Sequence, residues 1–303
     1  MRKEFSICIE RIAREDQRII FLTGDLGFMA LENVRDALGS RFMNVGVSEQ
    51  NMISVAAGLA NEGLIPVCYS IAPFAVFRPA EQIRIDICLH NMNVKIVGNG
   101  GGYGYGIMGA THHALEDIAV LSSFQNMNCF IPFCNEDVEN NVHAMLEYGG
   151  PSYLRLGFGK KGDKTIVPAF EPFRKITEGN KITVAALGPV TLNLCNAIDK
   201  YGLQNDVELF TISRIPFTGL NKEFLESIKK TKRLLICEEH VRRGGLGEHL
   251  GIFLLTANVR CAVKHHFASG YPNGLYGSQE YHQKINNLDM NSIANSIINF
   301  INE

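Results

Sequence analysis

Hydrophobic and polar positions alternate along the chain in a pattern typical of an α/β fold. Short apolar runs rich in β-branched and aromatic residues, such as RIIFLTGD, IPVCYSI, NVKIVG and SYLRLG, predict strands. The stretches between them have apolar residues at helical spacing and predict helices over Phe5–Arg14, Leu31–Leu38, Glu49–Asn61, Pro79–His90, His113–Phe124 and Glu136–Tyr148. Because the strands are continuous apolar runs, the pattern favours parallel sheets covered by helices on both faces.

The pattern lapses over residues 158–180, where Gly, Lys, Pro and Phe dominate. It resumes with the strands KITVAALG, VELFTIS and RLLICEEH and with further helices, one of them near Lys222–Lys230. We therefore predict two α/β sandwich domains, over 1–157 and 181–303, joined by a linker over 158–180.

Composition excludes several classes of function. The 29 basic and 31 acidic side chains leave a net charge of −2, which gives no basic surface for nucleic acid or an anionic membrane. No apolar run approaches the roughly 18 to 20 residues that span a bilayer, and the charged N-terminus does not resemble a signal peptide. The eight scattered cysteines form no C-x-x-C pair, which indicates reduced, buried thiols in a cytoplasmic protein.

The segment RFMNVGVSEQNM, over Arg41–Met52, predicts a strand followed directly by a helix. Ser48 is a suitable N-cap, and Glu49 then falls in the first helical turn. A carboxylate there complements the helix dipole and is often purely structural. The small residues Ala56–Gly58 nevertheless predict a buried helix. A buried carboxylate needs a partner, so Glu49 is a candidate functional residue.

This segment resembles the signature of the transketolase family, and in particular that of its separately encoded C-terminal subunits. The family's Gly-Val-x-Glu-x-x-Met matches Gly46–Met52, and the resemblance is strong over about 20–157 and looser after 180. It implies that Glu49 hydrogen-bonds atom N1′ of the aminopyrimidine of thiamine diphosphate. Glu49 would thereby favour the imino tautomer that removes the thiazolium C2 proton. The resemblance also accounts for a carboxylate buried without a cation.

Two other segments resemble the family's cofactor cleft. The run PFAVF, ahead of EQIR, resembles the aromatic stretch from which a Phe stacks on the pyrimidine ring. Phe74 directly follows the predicted strand and is the first candidate, and Phe77 is the second. By spacing alone either would more often be a core residue, and the run is shorter than in most transketolases, so the choice stays open. Asp25 and Leu26 resemble the family's Ala-Asp-Leu stretch, which lines the same cleft.

A glycine-rich stretch, GNGGGYGYGIMGATHHALED, contains a formal G-x-G-x-x-G dinucleotide fingerprint. Its glycines lie in a long loop and not at a strand–helix turn, so the match is weak. In the family a loop here ends in Gly-x-Thr-His, which matches Gly109–His112. The resemblance implies that His112 reaches the sugar substrate, as a contact or a proton-transfer group. His113, where most of the family has Gln, is a second candidate contact, and we expect this large, flexible loop to shape substrate choice.

The chain lacks the Gly-Asp-Gly…Asn motif with which diphosphate-binding domains of this cofactor class hold a divalent metal. Its nearest match, GDLG, is interrupted by Leu26, and Asn51 belongs to the glutamate motif. The resemblance therefore implies no metal site in this chain. A separate partner subunit would supply Mg²⁺ and the diphosphate pocket, in an α2β2 assembly.

The family's phosphate-binding residues are matched only in part. Family members that take sugar phosphates hold the phosphate with arginines and a histidine. Arg2 matches one such position, and Arg155 is a second candidate substrate contact. Phe158 stands where the family usually has another arginine, and the lysines that follow it would act only as point charges. The identity of the sugars, and whether they carry phosphate, stays open.

The motifs together predict a subunit of a thiamine-diphosphate-dependent transketolase that moves a two-carbon ketol unit from a ketose, or ketose phosphate, to an aldose. The alternatives are the β subunit of a 2-oxoacid dehydrogenase and a non-catalytic assembly subunit. A nucleotide-binding oxidoreductase would rest on the glycine match alone. The runs THHALED and EQIR favour the transketolase, and the intact glutamate motif argues against a chain without chemistry.

Overall fold

The computed structural model describes residues 1–27 and 29–303, and all bounds below refer to that range. The strands are β1 (Ile19–Thr23), β2 (Phe42–Asn44), β3 (Ile65–Ile71), β4 (Lys95–Asn99), β5 (Asn128–Phe130), β6 (Ser152–Leu156), β7 (Phe173–Thr177), β8 (Ile182–Leu187), β9 (Val207–Ile212), β10 (Arg214–Ile215), β11 (Arg233–Glu238) and β12 (Ala262–Phe267). The helices are α1 (Arg2–Glu15), α2 (Glu32–Leu38), α3 (Glu49–Asn61), α4 (Ala72–Val76), α5 (Ala80–Gln82), α6 (Asp117–Ser122), α7 (Val138–Glu147), α8 (Val190–Tyr201), α9 (Lys222–Thr231), α10 (Leu246–Thr256), α11 (Gln279–Ile285) and α12 (Met290–Asn302).

The first sheet has the strand order β10-β5-β6-β4-β3-β1-β2 in the described chain. Its strands are parallel except β10, which pairs antiparallel with β5. Apolar side chains of α1, α2 and α7 cover one face, and those of α3, α6 and the π-helical turn Ile83–Leu89 cover the other. The predicted α/β sandwich with a parallel sheet is confirmed here.

The second sheet has the order β12-β11-β8-β9-β7, as far as the described residues show. Helices α8 and α12 pack on one face, while α9 and α10 pack on the other and share a core with the first sheet. None of the helices in the described part of the chain combines the length and the apolar character that crossing a membrane requires.

Two short strands, β7 and β10, were not predicted from the hydrophobic pattern. β7 lies inside the predicted linker 158–180 and pairs antiparallel with β9, at the edge of the second sheet. β10 follows the second-domain strand β9 directly, yet pairs with β5 of the first sheet, Arg214 facing Phe130. Each sheet therefore has an edge strand from a segment that the sequence pattern did not assign to it: β10 in the first sheet and β7 in the second.

One predicted helix is shorter than its pattern suggested. The helix expected over His113–Phe124 begins at Asp117. The preceding residues are held in an antiparallel bridge, in which Ala114 and Gly102 exchange N–H···O=C hydrogen bonds of 2.9 and 3.0 Å. Since these backbone groups bond across the loop, they cannot start a helix.

Candidate active site

The carboxyl ends of β1, β3 and β4 meet at one edge of the first sheet, because these strands are parallel neighbours. Helix α3 begins at the same edge, and its first residue is Glu49. The backbone comes very close to this carboxylate at Gly24. A side-chain carbon on Gly24 would stand 3.3 Å from the carbonyl oxygen of Gly46 and 3.7 Å from Oε1 of Glu49. The tighter of these contacts is the one with Gly46, so glycine at position 24 lets the two backbone segments lie close together beside the carboxylate.

Glu49 is 3% exposed and lies between a hydroxyl and a guanidinium group. The hydroxyl of Ser70 donates to Oε1 over 3.3 Å, and Nη1 of Arg78 lies 3.1 Å from Oε1 and 3.0 Å from Oε2. The expectation that Glu49 is buried without a cation is therefore wrong. Arg78 lies two residues past the end of α4 and 29 residues after Glu49, so no local spacing indicated this pairing.

Phe74 lies beside this ion pair. The guanidinium carbon of Arg78 is 3.9 Å from the centre of the Phe74 ring, and the ring of His112 meets Phe74 edge-on at 5.2 Å. Phe77 is 37% exposed. The structure thus brings Glu49, Phe74 and His112 together, while the choice of Phe74 as the stacking residue stays a prediction.

His112 is half-buried between two aromatic rings. Besides Phe74, the ring of Tyr105 lies 5.9 Å away at 63°, and Thr111 Oγ1 lies 2.9 Å from Nδ1 of the histidine. Tyr105 is fixed in turn, since its hydroxyl accepts a 2.8 Å hydrogen bond from the side chain of Asn99. Sequence reasoning missed Tyr105, although an aromatic residue inside a glycine-rich loop is an unusual feature.

His113 does not point into the cleft, so its assignment as a substrate contact is wrong. It is buried, with Nδ1 2.7 Å from the hydroxyl of Tyr271 and Nε2 2.8 Å from the carbonyl oxygen of Gly106. Both ring nitrogens are thus engaged within the protein. The ring of His112 thus packs on Phe74, whereas that of His113 contacts Tyr271 of the second domain.

Arg155 is also a structural residue and not the predicted substrate contact. It is buried, its Nε lies 2.8 Å from Oδ2 of Asp117, and its Nη2 donates to the carbonyl oxygens of Ala114 and Glu239 over 2.7 and 3.1 Å. These bonds tie the glycine-rich loop and helix α6 to the second domain. A guanidinium with its donors turned inward cannot bind a phosphate in the cleft.

The remaining predicted contacts lie around the cleft. Asp25 is exposed, has a left-handed φ of 57°, and exchanges two hydrogen bonds of 3.0 Å with the side chain of Asn44. Together with Leu26 it lines an open cavity of about 520 Å³ next to Gly24. Arg2 is exposed and lines a different cavity, of about 670 Å³. Their roles toward cofactor and substrate stay predictions.

The glycine-rich loop is anchored at its centre by the second domain. The backbone N–H of Tyr103 donates to Oε1 of Glu239 over 2.6 Å, and its hydroxyl donates to the carbonyl oxygen of Gly270 over 2.6 Å. The ring stacks on His282 at 4.6 Å. The tip is different, because Ile107 and Met108 are exposed. The second domain therefore holds the loop that carries His112 at Tyr103.

The N-terminus of α10, which could have bound an anion, already binds a carboxylate of the protein. The backbone N–H groups of Leu246 and Gly247, at the start of α10, donate to the carboxylate of Glu238 over 2.7 and 3.0 Å. His265 adds a third bond to this carboxylate over 2.8 Å. An internal carboxylate thus satisfies the helix terminus, in line with a structural role for this segment.

Buried histidines at the domain interface should make stability depend on pH. Burial lowers the pKa of His113, His240 and His282 below the usual 6.5. Near pH 6 the unfolded chain then binds more protons than the folded chain, so the free energy of unfolding falls as the pH drops below 6.5. We expect the urea midpoint to fall between about pH 7.5 and about pH 5.5. The variant H113Q should flatten this dependence, and an unchanged slope would contradict the assignment.

Comparisons with known proteins show which proteins the chain is similar to. Residues 1–159 match the family model of the transketolase pyrimidine-binding domain. One of the subunits of apulose-4-phosphate transketolase is similar, at 32% identity in Phocaeicola vulgatus and 30% in Actinobacillus succinogenes. The two alignments cover 81% and 84% of this chain and 80% and 83% of the relatives. A solved split-gene transketolase, an inactive β4 tetramer, superimposes with a TM-score of 0.84 at 26% identity, over 99% of this chain and 98% of that one.

Proposed function

Since this chain belongs to the transketolase family and corresponds to the C-terminal subunit of a split transketolase, we propose that it forms one half of a thiamine-diphosphate-dependent active site. The enzyme transfers a two-carbon ketol unit from a ketose, or ketose phosphate, to an aldose acceptor. The observation that carries the proposal is the buried carboxylate of Glu49, at the carboxyl edge of the sheet beside Phe74 and His112.

The residues at this edge fit an aminopyrimidine. The Arg78 guanidinium, a flat group, already lies against the Phe74 ring while bonding to Glu49, so the space between ring and carboxylate takes a planar nitrogen-containing group. Thiamine diphosphate, when bound, supplies the electron sink for cleaving the carbon–carbon bond beside a ketone. Glu49 would hold and exchange the proton at N1′ of its pyrimidine, and Phe74 would orient that ring by stacking.

His112 would act on the substrate. Its ring is held by Phe74 and Tyr105 and is half-buried at the end of the anchored loop, which fits a group that contacts sugar hydroxyls or transfers a proton. Arg2 and Lys160 are the exposed cations on which binding of a phosphate would depend, and Phe158 places an exposed apolar ring beside Tyr105.

The proposal includes a partner. A separate chain with a Gly-Asp-Gly…Asn motif would bind Mg²⁺ and the diphosphate, in an α2β2 assembly in the cytoplasm. The inactive β4 tetramer of a similar protein supports this dependence, because that chain assembled without a partner is inactive. We assign pyrimidine binding to residues 1–157 and assembly to 181–303. Residues 158–180 connect the two and contribute β7 to the second sheet. The transketolase subunits among the relatives favour this function over the 2-oxoacid dehydrogenase alternative.

Reconstitution tests the function. The chain alone should show background ketol transfer, and mixing it with the diphosphate-binding partner, thiamine diphosphate and Mg²⁺ should restore turnover, because each half supplies part of one site. A panel of ketose donors and aldose acceptors, with and without phosphate, would be assayed by product formation.

Full activity of the chain alone would contradict the divided site. Release of CO₂ from pyruvate with acyl transfer to a lipoyl carrier would instead identify a 2-oxoacid dehydrogenase. A matched control omits Mg²⁺ by chelation from the reconstituted mixture.

A further inference from the structure

Arg78 makes the two contacts that the proposed function assigns to the aminopyrimidine. Its guanidinium carbon lies 3.9 Å from the centre of the Phe74 ring, a stacking distance. Its Nη1 donates to both carboxylate oxygens of Glu49, over 3.1 and 3.0 Å. The guanidinium therefore lies between the ring face and the carboxylate.

A planar ring that stacks on this face of Phe74 and hydrogen-bonds to Glu49 would collide with the guanidinium group. Both groups are flat and both bond in their plane to the Glu49 carboxyl group: the guanidinium donates N–H to it, whereas atom N1′ of the pyrimidine shares one proton with it. The two cannot occupy the position at once, because interiors leave no room for overlapping groups.

We propose that Arg78 is an internal competitor of the cofactor: its guanidinium holds the place of the aminopyrimidine and must be displaced before thiamine diphosphate binds. This inference rests on the proposed function and deepens it. Arg78 offsets the burial of the Glu49 carboxylate, and on cofactor binding the proton shared between the carboxyl group and atom N1′ would take over this role. The strength of the ion pair between Arg78 and Glu49 and the affinity for the cofactor are thus coupled: a stronger pair means weaker cofactor binding.

The surroundings of Arg78 allow the displacement. Its side chain is 44% exposed, while that of Glu49 is 2% exposed, so the arginine can leave into solvent and the glutamate cannot. Both residues line an open cavity of about 670 Å³, whose rim includes Val47, 72% exposed. A single nitrogen of the guanidinium holds the carboxylate, without the paired fork that would make the contact more rigid.

The test compares cofactor binding by the complex with the diphosphate-binding partner, for wild type and for Arg78→Met. Methionine keeps an apolar stem over Phe74 but removes the competing donor. We expect the dissociation constant of thiamine diphosphate to fall roughly tenfold, since the binding-competent fraction of wild type is small. The matched control is Arg84→Met, because Arg84 pairs with the exposed Glu81 and not with Glu49. That control should bind like wild type.

The association kinetics of the cofactor give a second measurement, which compares rates at increasing cofactor concentration within each protein. The wild-type association rate should level off at high cofactor concentration, as departure of Arg78 becomes limiting, whereas that of Arg78→Met should keep rising. Arg78→Lys, which keeps the charge and loses the planar stack, should lie between them. Equal or weaker binding by both Arg78 variants would overturn the competition while leaving the proposed function intact. Failure of wild type to bind thiamine diphosphate would overturn both.

Discussion

Replacing Glu49 by glutamine is expected to abolish ketol transfer by the reconstituted enzyme. The amide has the shape of the carboxylate but cannot exchange a proton with a ring nitrogen, so the loss should reach about 10²- to 10⁴-fold in kcat. Glu49 is buried against Ser70, and no other carboxylate of the described residues is paired with Arg78. Steady-state kinetics at saturating cofactor measure the effect.

Glu81→Gln is the matched control. Glu81 lies in the same part of the chain as Arg78, is exposed, and pairs with Arg84. Its replacement should leave turnover unchanged. Circular dichroism would check that both variants keep the fold, since Glu49→Gln also removes an ion pair. Turnover of Glu49→Gln near that of wild type would remove Glu49 from the mechanism.

Of the variants proposed here, Arg155→Met should lower the free energy of unfolding the most. The change leaves the Asp117 carboxylate buried with the Tyr153 hydroxyl, at 2.8 Å, as its remaining side-chain partner among the described residues. Removing one member of a buried ion pair typically costs about 3–5 kcal/mol. The loss of the bonds to Ala114 and Glu239 should add to it. Urea denaturation of the whole chain measures the change in the free energy of unfolding.

An exposed pair provides the comparison. Arg18 bonds to Asp16 over 2.7 Å at the surface, and Arg18→Met should change the urea midpoint far less. The double variant Arg155→Met/Asp117→Asn should recover part of the loss, because it removes the unpaired charge. Equal losses for the surface and buried arginines would show that the interface network does not support the fold.

Most of the fold could be predicted from the sequence because buried parallel strands appear in it as continuous apolar runs. Continuous apolar runs such as IPVCYSI became β3 and its neighbours. β7 and β10 were missed because their pairing is decided by distant residues: β7 contains two adjacent basic residues, Arg174 and Lys175, and β10 is two residues long. No local pattern specifies an edge strand of that kind.

The site was predictable where a motif fixes the backbone, and less so where side-chain direction depends on the other domain. Glu49 pairs with Arg78, which packs on Phe74, and His112 packs on the same ring, while the roles of these residues stay predictions. His113 and Arg155 were placed in the cleft by their position in the chain, but Tyr271 and Glu239, far away in sequence, turn them inward. Arg78 was missed because an ion pair across a helix start depends on tertiary contact.

Strand β10 has a consequence for how the chain matures. β5 pairs with β6 on one side, and its other side pairs only with β10 among the described strands. Until Arg214 and Ile215 have been synthesised, the backbone N–H and C=O groups on that side have no strand to pair with. At typical translation rates of about 5–20 residues per second, this interval lasts several seconds after the first domain leaves the ribosome. During that time the nascent chain is open to pairing with strands of other chains. Pairing with β10 closes this edge once the second domain has been synthesised.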